Sequence, residues 1–422
     1  STSYGEGCGG VYTQTTQFID RQVNQNPALL HFFSAGNNGK VSCGTYGNIT
    51  APDGTRYGNI TGGRKAGKNV MTIGNVFYDD RLLSSSSRGP TLDGRIKPDL
   101  VAHGQGNLTT DANNGYRLGG GTSAAAPTAA GAAALLYEAY RERHNDLPSS
   151  ALIKAAMLNT AEDLGTPGPD YQHGWGRVHA GRALDILEND QFVTATITNG
   201  AKRAHNISVP PGVAEVRVMV YWHDSDGLPF AGRALVNDLD MTLETPFGQN
   251  YQPWVLSTTL HRDSLSKPAY RGADHVNNVE QITIANPAPG NYNVTVDGHL
   301  VPSGAQRYYL VYHFVREALT VTYPVGGEGF VPGQTEVIRW DALGNNGRFT
   351  LEYSTNNGAS WQIIADNIDA GARHFDWQVP NIAAHRVRIR VRRSGQSATS
   401  PAPFSIIGLP NFDIRYKSER TA

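Results

Sequence analysis

Residues 123–144, SAAAPTAAGAAALLYEAYRERH, read as a helix whose first half is almost entirely Ala and Gly. A helix with small residues on every face has no single apolar stripe to bury, and it becomes stable only where neighbours approach closely all round. The chain must therefore supply a layered fold around this segment. Its C-terminal end carries Arg141, Arg143 and His144, cations that complement the negative end of the helix dipole. Around it, residues 27–34 (PALLHFFS), 69–76 (NVMTIGNV) and 96–102 are short apolar runs bounded by turn residues, as buried strands are. They alternate with helical text, including a second helix over 148–161, and such alternation implies a parallel α/β sheet over residues 1–190.

From residue 191 the apolar period changes to two. Strands are expected at 194–198, 213–221, 238–243, 279–285, 292–296 and 308–314, a β-sandwich of jelly-roll size over 191–316. A further set at 319–323, 335–340, 349–354, 361–365, 374–379 and 387–391 suits an Ig-like sandwich over 317–408. Within it, Asn357-Gly358 is a hairpin turn signal and Trp361 returns the chain to the core. Residues 409–422 lack periodicity and read as a linker or tail. Three units agree with a length of 422 residues at roughly 150 per domain.

Charge excludes one class of partner. Thirty-six basic against 37 acidic residues leave no electrostatic footprint for nucleic acid. No apolar run approaches the ~18 residues of a membrane-spanning helix. The chain starts at Ser1 with no basic or apolar leader, which suggests a processed or truncated piece of a longer product.

Two segments carry chemistry. Residues 119–127, GGGTSAAAP, place Ser123 at the N-terminus of the Ala-rich helix. There the unpaired backbone N–H groups and the helix dipole both favour a developing oxyanion. The same text also suits Thr122 or Ser123 as an ordinary N-cap. Residues 31–39, HFFSAGNNG, run a buried strand into Ala-Gly-Asn at the C-terminal edge of the sheet, where α/β folds put ligands. Asn37 could there donate to an oxyanion. Ser3-Tyr4-Gly5 has the form of a strand end able to pair with extended peptide.

Together these residues resemble the subtilisin-like serine proteases. The motif Gly-Thr-Ser-x-Ala-x-Pro is complete at residues 121–127 and Ala-Gly-Asn stands at 35–37, with similar text at 69–74, 86–99 and 174–184. The resemblance implies a subtilisin-like fold and a serine endopeptidase that forms an acyl-enzyme on Ser123. Asn37 would be the side-chain oxyanion donor. Thr122 would line the substrate site, and Ser3, Tyr4 and Gly5 with Ser34, Ala35 and Gly36 would form the two pocket walls. The family orders its triad Asp, His, Ser, and both earlier members precede the oxyanion Asn. Only Asp20 and His31 precede Asn37 here. Asp20 lies in polar helical text and His31 within apolar 29–33, so neither suits the role. His103 and His173 lie after Asn37 and lack the flanking motif. The acid and base are therefore expected in a missing N-terminal segment, without which the fragment would be inactive. The alternative is a non-catalytic secreted binding or adhesion protein reusing the fold.

The resemblance extends to the β-sandwich that follows some subtilase domains, and implies structural Ca²⁺ there. Asp238 and Asp240 share one face of a strand, and Asp274, Asn278 and Glu280 follow, with Asp224 a weaker candidate. Such oxygens suit a hard cation, while outward charges on an edge strand remain the other reading. Cys8 and Cys43 each follow a segment of the site, so a disulfide and two free thiols both stay open. Peptide or protein substrates, a secreted bacterial setting, and surface or carbohydrate contact through the β domains complete what the resemblance implies.

Overall fold

The computed structural model describes residues 1–408 apart from 6, 303, 345 and 346, and the expected linker or tail at 409–422 lies outside the described residues. Helix α1 (Gln14–Gln25) begins at Thr13, whose hydroxyl accepts from Thr16 N while the Thr16 hydroxyl accepts from Thr13 N. This reciprocal cap satisfies two otherwise orphaned amides. Strands β1 (Phe32–Ser34), β2 (Met71–Val76) and β3 (Leu100–His103) form a parallel sheet in that order, with Phe32 beside Met71 and Ile73 beside Leu100. Thr2 bridges Phe33 in parallel at the free side of β1.

Helix α2 (Thr122–His144) is the Ala-rich segment, and it packs against all three strands. Its buried residues are Thr122, Ala125, Ala126, Ala129, Ala133 and Leu136, spaced as one helix face. The opposite face, Pro127, Thr128, Gly131 and Leu135, is open to solvent. A Cβ added to Gly131 would meet nothing within 4 Å. The expected burial on every side therefore does not hold for α2 within this chain. It holds instead for α3 (Ser150–Asn159), buried at every position. Helix α4 (Ala180–Glu188) closes this region. Between β3 and α2 the chain makes a hairpin, β4 (Gln105–Thr110) with β5 (Tyr116–Gly120), that the sequence pattern did not suggest. Its Leu108, Tyr116 and Leu118 are each at least 70 % exposed.

Residues 192–316 supply two four-stranded antiparallel sheets. One is built from β6 (Phe192–Ile197), β8 (Val213–Tyr221), β13 (Val279–Ala285) and β15 (Gln306–Arg316). The other holds β7 (Lys202–Val209), β9 (Asp238–Glu244), β10 (Asn250–Tyr251) and β14 (Gly290–Leu300), while β11 (Trp254–Val255) and β12 (Tyr270–Arg271) pair separately. Val218, Ile282 and Leu310 of the first sheet share a core with Ile207, Leu243 and Val294 of the second. The outer face of β8 does not stay free. Met219 and Tyr221, with Val279 and Val311, belong to the same core as Leu152, Ile153 and Trp175 of the α/β region. Accordingly Ser1–Val315 forms one compact unit, with no division at residue 190.

The second unit starts at Arg316. Strands β16 (Thr320–Tyr323), β18 (Thr335–Asp341) and β21 (His374–Gln378) form one of its sheets. The other comprises β17 (Gly329–Phe330), β19 (Phe349–Ser354), β20 (Gln362–Ile368), β22 (Ala384–Arg393), β23 (Gln396–Thr399) and β24 (Phe404–Ile406). Both contribute to a core around Trp340, Phe349, Trp377 and Phe404. Asn357 and Gly358 both have positive φ, 59° and 94°, and turn the chain within the longer loop over 355–361 that joins β19 to β20. Trp361 stays half-buried, with the Arg390 guanidinium 4.1 Å from its ring centre.

Candidate active site

The N-terminus of α2 has no side-chain cap of its own. Gly121 holds φ 91° there, and a Cβ would come within 3.1 Å of both Asn37 amide atoms, so only glycine fits. The cap role passes to Asn37. Its Oδ1 accepts from Thr122 N and Thr122 Oγ1, each at 3.1 Å, and the Thr122 hydroxyl accepts from Gly36 N at 3.1 Å. With Oδ1 so occupied, the amide orientation is fixed and Nδ2 is the atom left to donate to a ligand. Asn37 is exposed and Ser123 half-buried, so substrate can reach both. The Ser123 amide belongs to the first helical turn, which lacks intrahelical partners. Among the described residues no hydrogen bond reaches Ser123 N or Ser123 Oγ.

Pro127 has no N–H to give the Ser123 carbonyl four residues earlier. Ser3 Oγ donates to that carbonyl instead at 2.9 Å, linking one expected pocket wall to the residue expected as nucleophile. Thr2 is held to the sheet by Thr2 N to Phe32 O (2.7 Å) and Ser34 N to Thr2 O (3.2 Å). Thus the chain enters Ser3, Tyr4 and Gly5 from a residue held beside β1. Beside Ser123 the β4–β5 hairpin flanks an open cleft of about 550 Å³ lined by Asn107, Leu108, Arg117 and Thr128.

Behind the two walls lie residues that the sequence motifs did not point to. Lys65 is 2 % exposed, and its ammonium donates to Thr61 Oγ1 (2.7 Å) and Ser34 Oγ (3.3 Å). It stands 2.6 Å from where a Cβ on Gly5 would be, and Thr61 blocks the same position on Gly36. Among the described residues no carboxylate pairs with it, and burial pulls its pKa down to about 8. A basic residue inside loop text (GGRKAGK) reads as solvent-facing, which is why no pattern reveals it.

Neither upstream acid nor base candidate approaches this arrangement. Asp20 accepts from Tyr12 OH, Lys68 N and Asn69 N, tying α1 to the loop before β2. His31 bonds Gln22 Oε1 at 3.0 Å, and burial lowers its pKa. His173 pairs with Asp170 at 3.1 Å, but among the described residues no hydrogen bond joins that pair to Ser123.

Cys8 and Cys43 are bonded to each other, with Cα atoms 5.6 Å apart. The expected calcium set fits less well. Asp224 is fully buried against Lys68 (2.5 Å) and accepts from Val236 N and Asn237 N. Asn278 spends its amide on Trp222 O, Lys68 O and Asn69 Oδ1. Asp274 accepts from Val276 N and from Asn277, and Glu280 from Met241 N and Asp274 N. The carboxylate oxygens of Asp224, Asp274 and Glu280 already accept hydrogen bonds from the protein, which leaves few free toward the six to eight that Ca²⁺ requires. Asp238 and Asp240 alone keep buried oxygens without hydrogen bonds.

Comparison with known proteins matches residues 1–176 to the subtilase family of peptidases. The serine protease/ABC transporter B family protein tagA of Dictyostelium discoideum is 25 % identical over 347 residues, covering 73 % of this chain and 18 % of that protein. The subtilisin-like protease SBT6.1 of Arabidopsis thaliana is 34 % identical over 144 residues, or 32 % of this chain and 14 % of that protein. The chain thus spans less than a fifth of the length of either relative. Among solved structures, the self-cleaved protease domain of PatA is 22 % identical, with a TM-score of 0.35 over 44 % of this chain and 60 % of that one.

Proposed function

We propose, from the premise that residues 1–176 are a subtilase domain, that this chain carries the nucleophile and oxyanion site of a serine endopeptidase. The observation that carries the reading is the anchored Asn37 amide beside the first turn of α2. A peptide carbonyl placed between them would meet Ser123 Oγ at its carbon. Its oxygen would lie against Asn37 Nδ2 and the Ser123 N–H. Attack forms a tetrahedral oxyanion, expulsion of the amine leaves an acyl-enzyme, and water then releases the acid. The Ser3–Gly5 and Ser34–Gly36 segments would take the substrate backbone between them.

The proton on Ser123 Oγ needs an acceptor, and we assign that base and its carboxylate partner to polypeptide outside this sequence. Two features support this: the hydroxyl has no partner among the described residues, and the Pro127–Leu135 face of α2 is open. Without a base the hydroxyl is a weak nucleophile at neutral pH. The bridged Cys8 and Cys43 favour an oxidising, extracytoplasmic setting. A jelly-roll-like reading of 192–316 and an Ig-like reading of the second unit accompany this proposal, as modules for spacing or surface contact.

The test is to express the chain with its native upstream coding sequence and treat it with a serine-directed fluorophosphonate. Labelling at Ser123 that requires the upstream segment supports the reading, and an unlabelled, folded long form sinks it in favour of a non-catalytic binding protein.

A further inference from the structure

The face shared by β9 and β14 gathers four donors that the calcium expectation did not combine. Asp238 and Asp240 are two residues apart on β9 and therefore point to one side of the sheet. On β14, Asp297 sits beside Asp240 and Leu300 beside Asp238, so one extra residue is inserted opposite Leu239. Such a bulge re-aims side chains locally. Here it brings His299 Nδ1 to 3.3 Å from Asp240 Oδ2. His275 arrives from the loop before β13, where Asp274 Oδ1 accepts from both Val276 N and Asn277 N and so fixes the turn around it. Its Nδ1 lies 3.0 Å from Asp238 Oδ2 and 3.5 Å from Asp240 Oδ1, and the two imidazole rings stack with centres 4.5 Å apart.

We propose that Asp238, His275 and His299, with Asp240 as fourth donor, bind a first-row transition metal ion, Zn²⁺ being the best match. Four donors at ~2.0–2.1 Å from a tetrahedral ion sit roughly 3.3 Å from one another, and the three imidazole–carboxylate separations, which reach both oxygens of Asp240, are 3.0, 3.5 and 3.3 Å. One ligand atom each from Asp238, His275 and His299 falls within 4.8 Å of the others. The chemistry of the set agrees: two imidazole nitrogens and two carboxylates suit zinc, whereas calcium takes oxygen alone. Asp238 is 0 % exposed, yet its Oδ1 has no hydrogen bond, and Asp240 Oδ1 is likewise buried without one. A buried carboxylate oxygen without a donor is costly unless a cation satisfies it. The opposing charge is Arg233, 2.7 Å from Asp238 Oδ2; its side chain is 41 % exposed and can swing into solvent. Bound metal would pin the β9–β14 pair to the 272–278 loop.

The test uses the full chain stripped with EDTA and titrated with Co²⁺ alone, read by its visible d–d absorption. A single equivalent should give an intense, tetrahedral-type band that Zn²⁺ abolishes and excess Ca²⁺ leaves unchanged. His299→Asn, at a half-exposed position, should weaken Co²⁺ binding by more than about 100-fold, beyond the loss expected for an outer-shell partner. The metal-free variant should keep the wild-type melting curve, and His275→Asn should behave alike. No saturable band, displacement by Ca²⁺, or unaltered Co²⁺ affinity in both variants would overturn the proposal. None of these readouts depends on Ser123, so the site stands or falls apart from the protease reading.

Discussion

The Asn37 side chain accepts twice through Oδ1 from Thr122, and among the described residues Nδ2 makes no hydrogen bond. Charge appears on the substrate oxygen only in the transition state, so an amide placed this way acts on turnover more than on binding. In the polypeptide that supplies a base, Asn37→Ala should lower kcat by about 2.7–4 kcal/mol, a magnitude borrowed from loss of the corresponding donor in subtilisin. KM should change little, and a mutant whose KM rises while kcat holds would remove Asn37 from the oxyanion role. Lys65 gives a prediction of another kind. Its folded pKa of about 8 lies below the ordinary ~10.4, so the cost of burying the ammonium is fully present below pH 8 and is relieved as pH climbs toward 10.4. The stability of Lys65→Met relative to wild type should therefore be most favourable near pH 7 and decline over that window. A difference that stays flat in urea titrations from pH 7 to 10 would show that Lys65 is not perturbed. Ser123 and Asn37 are legible in the sequence because backbone geometry forces short, local motifs on them: glycine at 121, and an amide just past a buried strand. Lys65 and Thr61 act through space, behind Gly5 and Gly36, and leave no such mark.

The strands that stand beside Ser123 and Asn37 follow from apolar runs that any reader of the chain would mark, since β2 is buried at all six positions. The β4–β5 hairpin was invisible for the opposite reason. Its text, GQGNLTTDANNGYRLGG, carries no period-two alternation, and Leu108, Tyr116 and Leu118 face solvent. Small residues on α2 made burial on every side the natural expectation, yet composition alone says only that close neighbours can fit, not that this chain supplies them. Loop closure is the contribution that can be measured at this scale. The Cys8–Cys43 bond joins the segment after one pocket wall to the segment after the other, and the two loops touch where Gly9 meets Gly44. For a sequence separation of 35 residues the chain-entropy treatment gives a stabilisation of about 4 kcal/mol. Replacing both cysteines with Ser should lower the unfolding free energy by up to that amount, and reductant should do the same to the wild type. Identical urea midpoints with and without reductant would mean that the bridge does not constrain the loops.

At the scale of the molecule, the period change near residue 191 marks a change in secondary structure and not a boundary between folding units. Periodicity reports which face of a strand is buried, but not what buries it. Tyr221 is fully buried at the end of β8 and packs into the α/β core, and Lys154 lies 5.0 Å from its ring centre. Lys68, also fully buried, pairs with Asp224 and donates to Ser225 O and Ala234 O, all beyond residue 191. A chain ending at residue 190 would strip these partners from Lys68 and expose the apolar face that Met219, Tyr221, Val279 and Val311 cover. It should show no cooperative thermal transition by circular dichroism, whereas residues 1–315 should melt cooperatively. The ion pair isolates the same coupling without truncation. Removing one member of a buried pair leaves the other charge without its counter-ion, at a cost of about 3–5 kcal/mol, while an apolar pair of similar volume is tolerated. Asp224→Leu should therefore destabilise residues 1–315 by that amount, and adding Lys68→Met should recover most of the loss. If the double substitution were as unstable as the single one, the cost would come from the amides of Val236 and Asn237 that Asp224 also serves, and not from the charge on Lys68.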